Sequence, residues 1–134
     1  MKRLALAALI GGISTVFTVP AHGERAALAM LDQLDSGAWE LRQIGHAGVS
    51  RSICLDNGRK LIQLEHPGAV CSSVIVEDKP NEVTVQYTCR GKGYGRTHIR
   101  RETNALVQID SQGIVDGRPF AFAAEGRRVG GCRS

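Results

Sequence analysis

A chain of 134 residues with 17 basic and 13 acidic side chains has room for one domain and one modest core. Setting Lys2 and Arg3 aside lowers the net charge from +4 to about +2, too little to argue for nucleic acid or an anionic membrane as partner. Aromatic residues are 4% of the chain, which excludes the base-stacking platforms of single-strand binders.

Lys2 and Arg3 precede an uncharged run, Leu4 to Val19, and then Pro20-Ala21-His22-Gly23. A basic start, a short apolar stretch and small residues at its exit are the pattern of a cleaved signal peptide. A membrane-spanning helix needs roughly 20 apolar residues, so no stable transmembrane anchor is expected. Cleavage after Ala21 or after Gly23 satisfies the small-residue rule. The expectation is a signal peptide at 1–23 and a single β-rich domain at 24–134, exported to the periplasm. All four cysteines lie in the exported part, where an oxidising compartment lets them pair.

Residues 24 to 34 predict the one helix, with Ala27, Leu28, Leu31 and Leu34 recurring at helical steps. Ala38 to Ile44 alternates and predicts a strand, 46 to 50 a loop, and Arg51 to Leu55 a short extension before Asp56-Asn57-Gly58. Lys60 to Glu65 reads equally as strand or helical turn. His66-Pro67-Gly68 is a break.

Two β-branched runs, Val74-Ile75-Val76 and Val83 to Thr88, flank Asp78-Lys79-Pro80-Asn81. Folding this hairpin about Pro80 places Cys71 opposite Cys89, Ser73 opposite Tyr87, Ile75 opposite Val85 and Glu77 opposite Val83. One face is then mostly apolar and the other mostly polar. Cross-strand neighbours have a Cβ separation that suits a disulfide. Of three connectivities, the register favours Cys71–Cys89, and Cys54–Cys132 follows by elimination.

Gly91, Gly93 and Gly95 predict a glycine-rich crossing. Arg96 to Glu102 and Ala105 to Asp110 predict strands, the second closed by a turn at 110–113. A second turn at Asp116-Gly117-Arg118-Pro119 precedes a short strand, Phe120 to Ala124. The fold class is mainly β: a curved antiparallel meander, half-barrel or barrel with one short N-terminal helix, stapled by disulfides.

The Gly37-Ala38-Trp39-Glu40-Leu41 start, Cys54-Leu55, the Cys71…Cys89 hairpin and the Arg127-Arg128-Val129-Gly130-Gly131-Cys132 ending occur in that order. Together they resemble a family of small secreted bacterial proteins, domain of unknown function 3617, over about residues 37 to 132. The resemblance implies an exported, mostly β, disulfide-bearing protein and transfers no catalytic residue.

The chemical motifs are sparse. No cysteine pair is spaced C-x-x-C, against both redox and zinc-ribbon chemistry. His46, His66 and His98 lack ligand spacing, so no metal and no cofactor are expected. No G-x-S-x-G elbow accompanies Ser50, Ser52 and Asp56. The leading expectation is a non-enzymatic protein that binds a small apolar or amphipathic ligand within the curved sheet, with Trp39, Tyr87 and Phe120 as its wall. One alternative is an interaction module that docks an acidic envelope partner through Arg96, Arg100, Arg101, Arg127 and Arg128. Another is a hydrolase whose dispersed site shows no sequence signature.

Overall fold

Seven strands account for most of residues 26–133, the part that the computed structural model describes. They are β1 (Gly37–Gln43), β2 (Ser50–Leu55), β3 (Cys71–Asp78), β4 (Glu82–Cys89), β5 (Gly93–Thr103), β6 (Leu106–Val115) and β7 (Arg118–Gly130). They form one curved, unclosed antiparallel sheet in the order β2-β1-β7-β6-β5-β4-β3. β3 to β7 are the expected meander, and β7 then pairs with β1, which carries β2 on its outer side. The signal peptide expected at 1–23 lies outside the described residues.

The predicted helix is real but short: α1 spans Ala29–Asp32. Leu28 adopts a left-handed φ of 58°, so the helix does not continue toward Ala27. The apolar stripe is still used, with Leu28, Met30, Leu31 and Leu34 all buried. A 3-10 turn at Gly58–Leu61, capped by the Asn57 side chain accepting from the Arg59 N–H at 2.9 Å, begins the segment left ambiguous between strand and helix.

The hairpin register holds from Cys71↔Cys89 through Ile75↔Val85. It then shifts by one: a bulge between Ile75 and Glu77 pairs Glu77 with Thr84, where the sequence put Val83. The predicted apolar face is also only half filled. β4 buries Val83, Val85 and Tyr87, whereas β3 is an edge strand whose Val74, Ile75 and Val76 stay exposed. Both disulfides form as the register and elimination indicate, Cys71–Cys89 and Cys54–Cys132. The second joins edge strand β2 to the tail after β7 across a sequence separation of 78, and closing so long a loop restricts the unfolded chain by about 4 kcal/mol in the chain-entropy account.

Two further boundaries differ from expectation. Gly93 and Gly95 belong to β5, and β6 runs straight through Asp110-Ser111-Gln112-Gly113. The glycines allow close approach: a side chain at Gly95 would meet the Tyr87 ring at 2.5 Å. The true turn is Asp116-Gly117, at φ of 49° and 77°, a mirror-image turn that suits the twist of a hairpin. With it, the strand expected at 120–124 extends to thirteen residues.

One face of the sheet carries the core. Trp39 and Leu41 (β1), Val83 and Val85 (β4), Ile99 (β5), and Val107 and Ile109 (β6) pack against Met30, Leu31, Leu34, Leu61 and Leu64 from the two covering segments. The opposite face is polar, as strand alternation requires of a sheet covered on one side.

Candidate functional site

The covering segments do not seal the core face evenly. Over β4–β6 every buried polar group is bonded. Ser111 donates to Thr97 Oγ1 at 2.8 Å, and that hydroxyl donates to the Ile62 carbonyl at 2.6 Å. His66 is buried with Nε2 3.0 Å from the Lys92 carbonyl and 3.1 Å from the Ile114 carbonyl. Two carbonyls only accept, so Nε2 carries the proton and Nδ1 accepts from the Tyr87 hydroxyl at 3.0 Å. Burial, reinforced by the charge of Glu65, pushes the Tyr87 phenol up to about 12.

Over β2, β1 and β7 the cover is incomplete: Trp39, Leu41, Leu55 and Ala124 are buried, whereas Ile53, Phe120 and Phe122 stay partly exposed. Two hollows of about 560 Å³ and 280 Å³ share Leu41 and Arg51. The larger runs between β2 and residues 57–68, with Ile53, Leu64 and Pro67 beside Leu41. The smaller is walled by Phe120, Phe122, Val49 and Ala124. Arg51 stands where they meet. Its guanidinium donates to Glu65 at 2.9 Å and lies 5.6 Å from the centre of the Phe122 ring. This is a largely apolar groove with Arg51 at its middle and Asp56, Arg59 and Lys60 at the outer rim of the larger hollow, the mixture of apolar wall and few polar groups found in small-molecule sites.

The residues singled out from sequence divide among three places. Trp39 is 0% exposed, its Nε1 donates to the Asp35 carbonyl at 2.9 Å, and it is a core anchor. Tyr87 is sealed against His66. Phe120 alone lines the groove, stacked on Phe122 with ring centres 6.4 Å apart. The three therefore do not share a cavity.

The arginines do not form one cationic surface either. Arg96, Arg100 and Arg127 alternate onto the polar face, where Arg100 pairs with Glu102 at 3.2 Å and Arg127 with Glu125 at 3.1 Å. Arg101 and Arg128 fall on the other face, in register with Val107 and Trp39. Arg101 clamps the β3–β4 turn through the Pro80 carbonyl and Asn81, and Arg128 donates to the Ser36 carbonyl at 2.7 Å. These two serve the fold.

The histidines also stay apart: His66 is internal, while His46 and His98 border a depression on the polar face. Glu77, Glu82 and His98 bring possible ligand atoms within 4.8 Å of one another, but Lys79 already bridges the two carboxylates at 3.1 Å each. Lys79, with His98 second, holds Glu82 below the usual carboxylate range.

Sequence reasoning missed Arg51, Glu65, Leu41, Ile53 and Leu64. Arg51 and Glu65 are fourteen positions apart with no local pattern between them. The Phe120-Ala121-Phe122 alternation was legible and does place both rings on one face. Among the described residues no helix is long and apolar enough to cross a membrane. Comparison with known proteins adds no relative, since no family model, curated protein or solved structure matches the chain.

Proposed function

We propose that this protein is a non-enzymatic periplasmic binding protein that holds a small amphipathic anion in the open groove over β2, β1 and β7. The ligand's apolar body lies on Ile53, Phe120 and Phe122, and its anionic head takes Arg51. One observation carries this reading: a guanidinium set in an apolar-walled groove and held by a single exchangeable partner, Glu65. Glu65 makes one contact to Arg51, so a carboxylate ligand that engages the guanidinium through two N–H groups would displace it with gain. The combined hollows match the volume of ordinary small-molecule pockets. Export by a cleaved signal, and membership of the family named above, belong to the same proposal; the two disulfides support an oxidising compartment.

The test is calorimetric titration with laurate and, separately, dodecanol. Laurate is expected to bind, with Arg51→Gln weakening it by about tenfold, the loss of one charge-assisted contact. Dodecanol, which lacks the carboxylate, should bind the wild type no better than laurate binds the variant. No heat from laurate up to its solubility limit, or equal binding of both probes, would reject the assignment.

A further inference from the structure

The polar face of the sheet follows a strict cross-strand order. One row reads Glu82, Arg100, Gln108, Glu125 and Arg42 across β4, β5, β6, β7 and β1. There, cations and carboxylates alternate, and Arg42, Arg100 and Arg127 each hold a carboxylate within 3.2 Å. The pattern changes toward the other end of the strands. Arg96 stands between Gln86 and Gln112, and Tyr94 between Thr88 and Ile114. Beside them the β7 side chains shrink to Ala121 and Ala123, which leaves a depression of about 520 Å³ and an adjoining one of about 390 Å³. Arg96, Gln112 and Ala121 border both.

Two groups in this trough are uncommitted. Among the described residues Arg96 has no hydrogen-bond or ion-pair partner, unlike the three other arginines of that face. Tyr94 is 50% exposed. The two residues are i and i+2 on one strand, so they project side by side about 7 Å apart, roughly the span of one sugar unit with its carboxylate. The neighbouring Gln86, Gln112 and Asp110 supply planar donors and acceptors.

We propose that this trough is a second binding site, for an acidic saccharide. The apolar face of a sugar ring rests on Tyr94, whose ring offers an apolar body and a polar tip. Its carboxylate takes the fork of Arg96, and its hydroxyls reach Gln86, Gln112 and Asp110. The site lies on the face opposite the Arg51 groove and does not depend on it. The charge is specified by the uncommitted guanidinium, and the ring by an exposed tyrosine over a floor of small residues.

The experiment is a chemical-shift titration of the isotope-labelled protein at low salt with digalacturonate, cellobiose and sodium sulfate. Digalacturonate should move the resonances of Tyr94, Arg96 and Gln112, and cellobiose should bind about tenfold more weakly for want of a carboxylate. Arg96→Gln should cost about tenfold and Tyr94→Ala about fivefold, while Arg42→Gln on the same face changes nothing. Both altered side chains are exposed, so thermal midpoints should stay at the wild-type value and show that any loss is one of binding. Sulfate moving the same resonances as tightly as digalacturonate would reduce the site to an anion contact and overturn the proposal. So would indifference of binding to either the Arg96 or the Tyr94 change, or no shift at millimolar digalacturonate.

Discussion

The two halves of the core face are built from the same alternating strands, yet they end differently. Over β4–β6, residues 28–34 and 58–66 close the face, and the buried His66, Thr97 and Ser111 are each bonded. Over β2–β1–β7 the cover stops short, Ile53 and Phe122 are only partly buried, and the polar pair facing them, Arg51 and Glu65, is half open to water. A sealed half must satisfy its polar groups internally or lose stability. An open half can leave one charge to be satisfied by something else. The difference teaches where to look for binding: at the part of the core the chain did not finish covering.

The sharpest way to break this comparison is to shorten one apolar side chain in each half. Ile99 is fully buried and central to the closed half. Ile99→Ala should cost about 3 kcal/mol of unfolding free energy, the range for a buried large-to-small change. Phe122→Ala, at the groove, should cost only about 1 kcal/mol because much of the lost surface was never dry. It should nevertheless weaken laurate binding, which Ile99→Ala should leave intact at temperatures where the variant is folded. Urea unfolding of both variants decides it. Equal losses would mean the two halves are packed alike.

How much of this was legible beforehand follows the reach of each interaction. The Cys71–Cys89 bond was readable because a hairpin register depends on residues close in sequence, and it failed only past Ile75, where a bulge adds a residue that no local pattern marks. The Leu28, Leu31 and Leu34 stripe was readable as apolar, but not the left-handed backbone at Leu28 that shortens the helix. Asp110-Ser111-Gln112-Gly113 has the composition of a turn and is strand, because pairing on both sides overrides local preference. The setting of His66 could not be read at all. Its Nε2 partners are main-chain carbonyls 26 and 48 positions away, and main-chain acceptors leave no trace in composition.

A smaller effect sharpens the account of the closed half. Tyr87→Phe removes the proton that His66 Nδ1 accepts and leaves a buried acceptor unpaired. It should cost about 1–3 kcal/mol at neutral pH. The pH dependence gives a second readout. The native phenol is held up to about 12 against an ordinary 10, so between those values the unfolded chain loses a proton that the native chain keeps. Fewer protons on the unfolded state means stability falls as pH rises through that window. The wild type should therefore lose stability from pH 10 to 12 more steeply than Tyr87→Phe, read from urea midpoints at each pH. Parallel profiles would show that the Tyr87 hydroxyl is solvated and that the closed half is not dry.

The smallest effect tests what holds the cover in place. Arg59, in the 3-10 turn, donates from Nε and Nη2 to the two oxygens of Asp32 in α1 at 2.8 Å each, and also to the Ala27 carbonyl. This ion pair joins the two covering segments to each other, and both partners are partly exposed. Asp32→Asn should cost about 0.5 kcal/mol at pH 7, as expected of a solvent-screened pair even in bidentate geometry. The hydrogen bond from Arg59 lowers the Asp32 carboxyl from its ordinary 3.8. A depressed native value means the contribution is present above 3.8 and is lost as pH falls through the native value. The gap between wild type and variant should therefore close in acid, and added salt should narrow it at pH 7. A gap that persists in both conditions would assign the loss to packing of the Asp32 side chain, and the cover would then be held by its leucines alone.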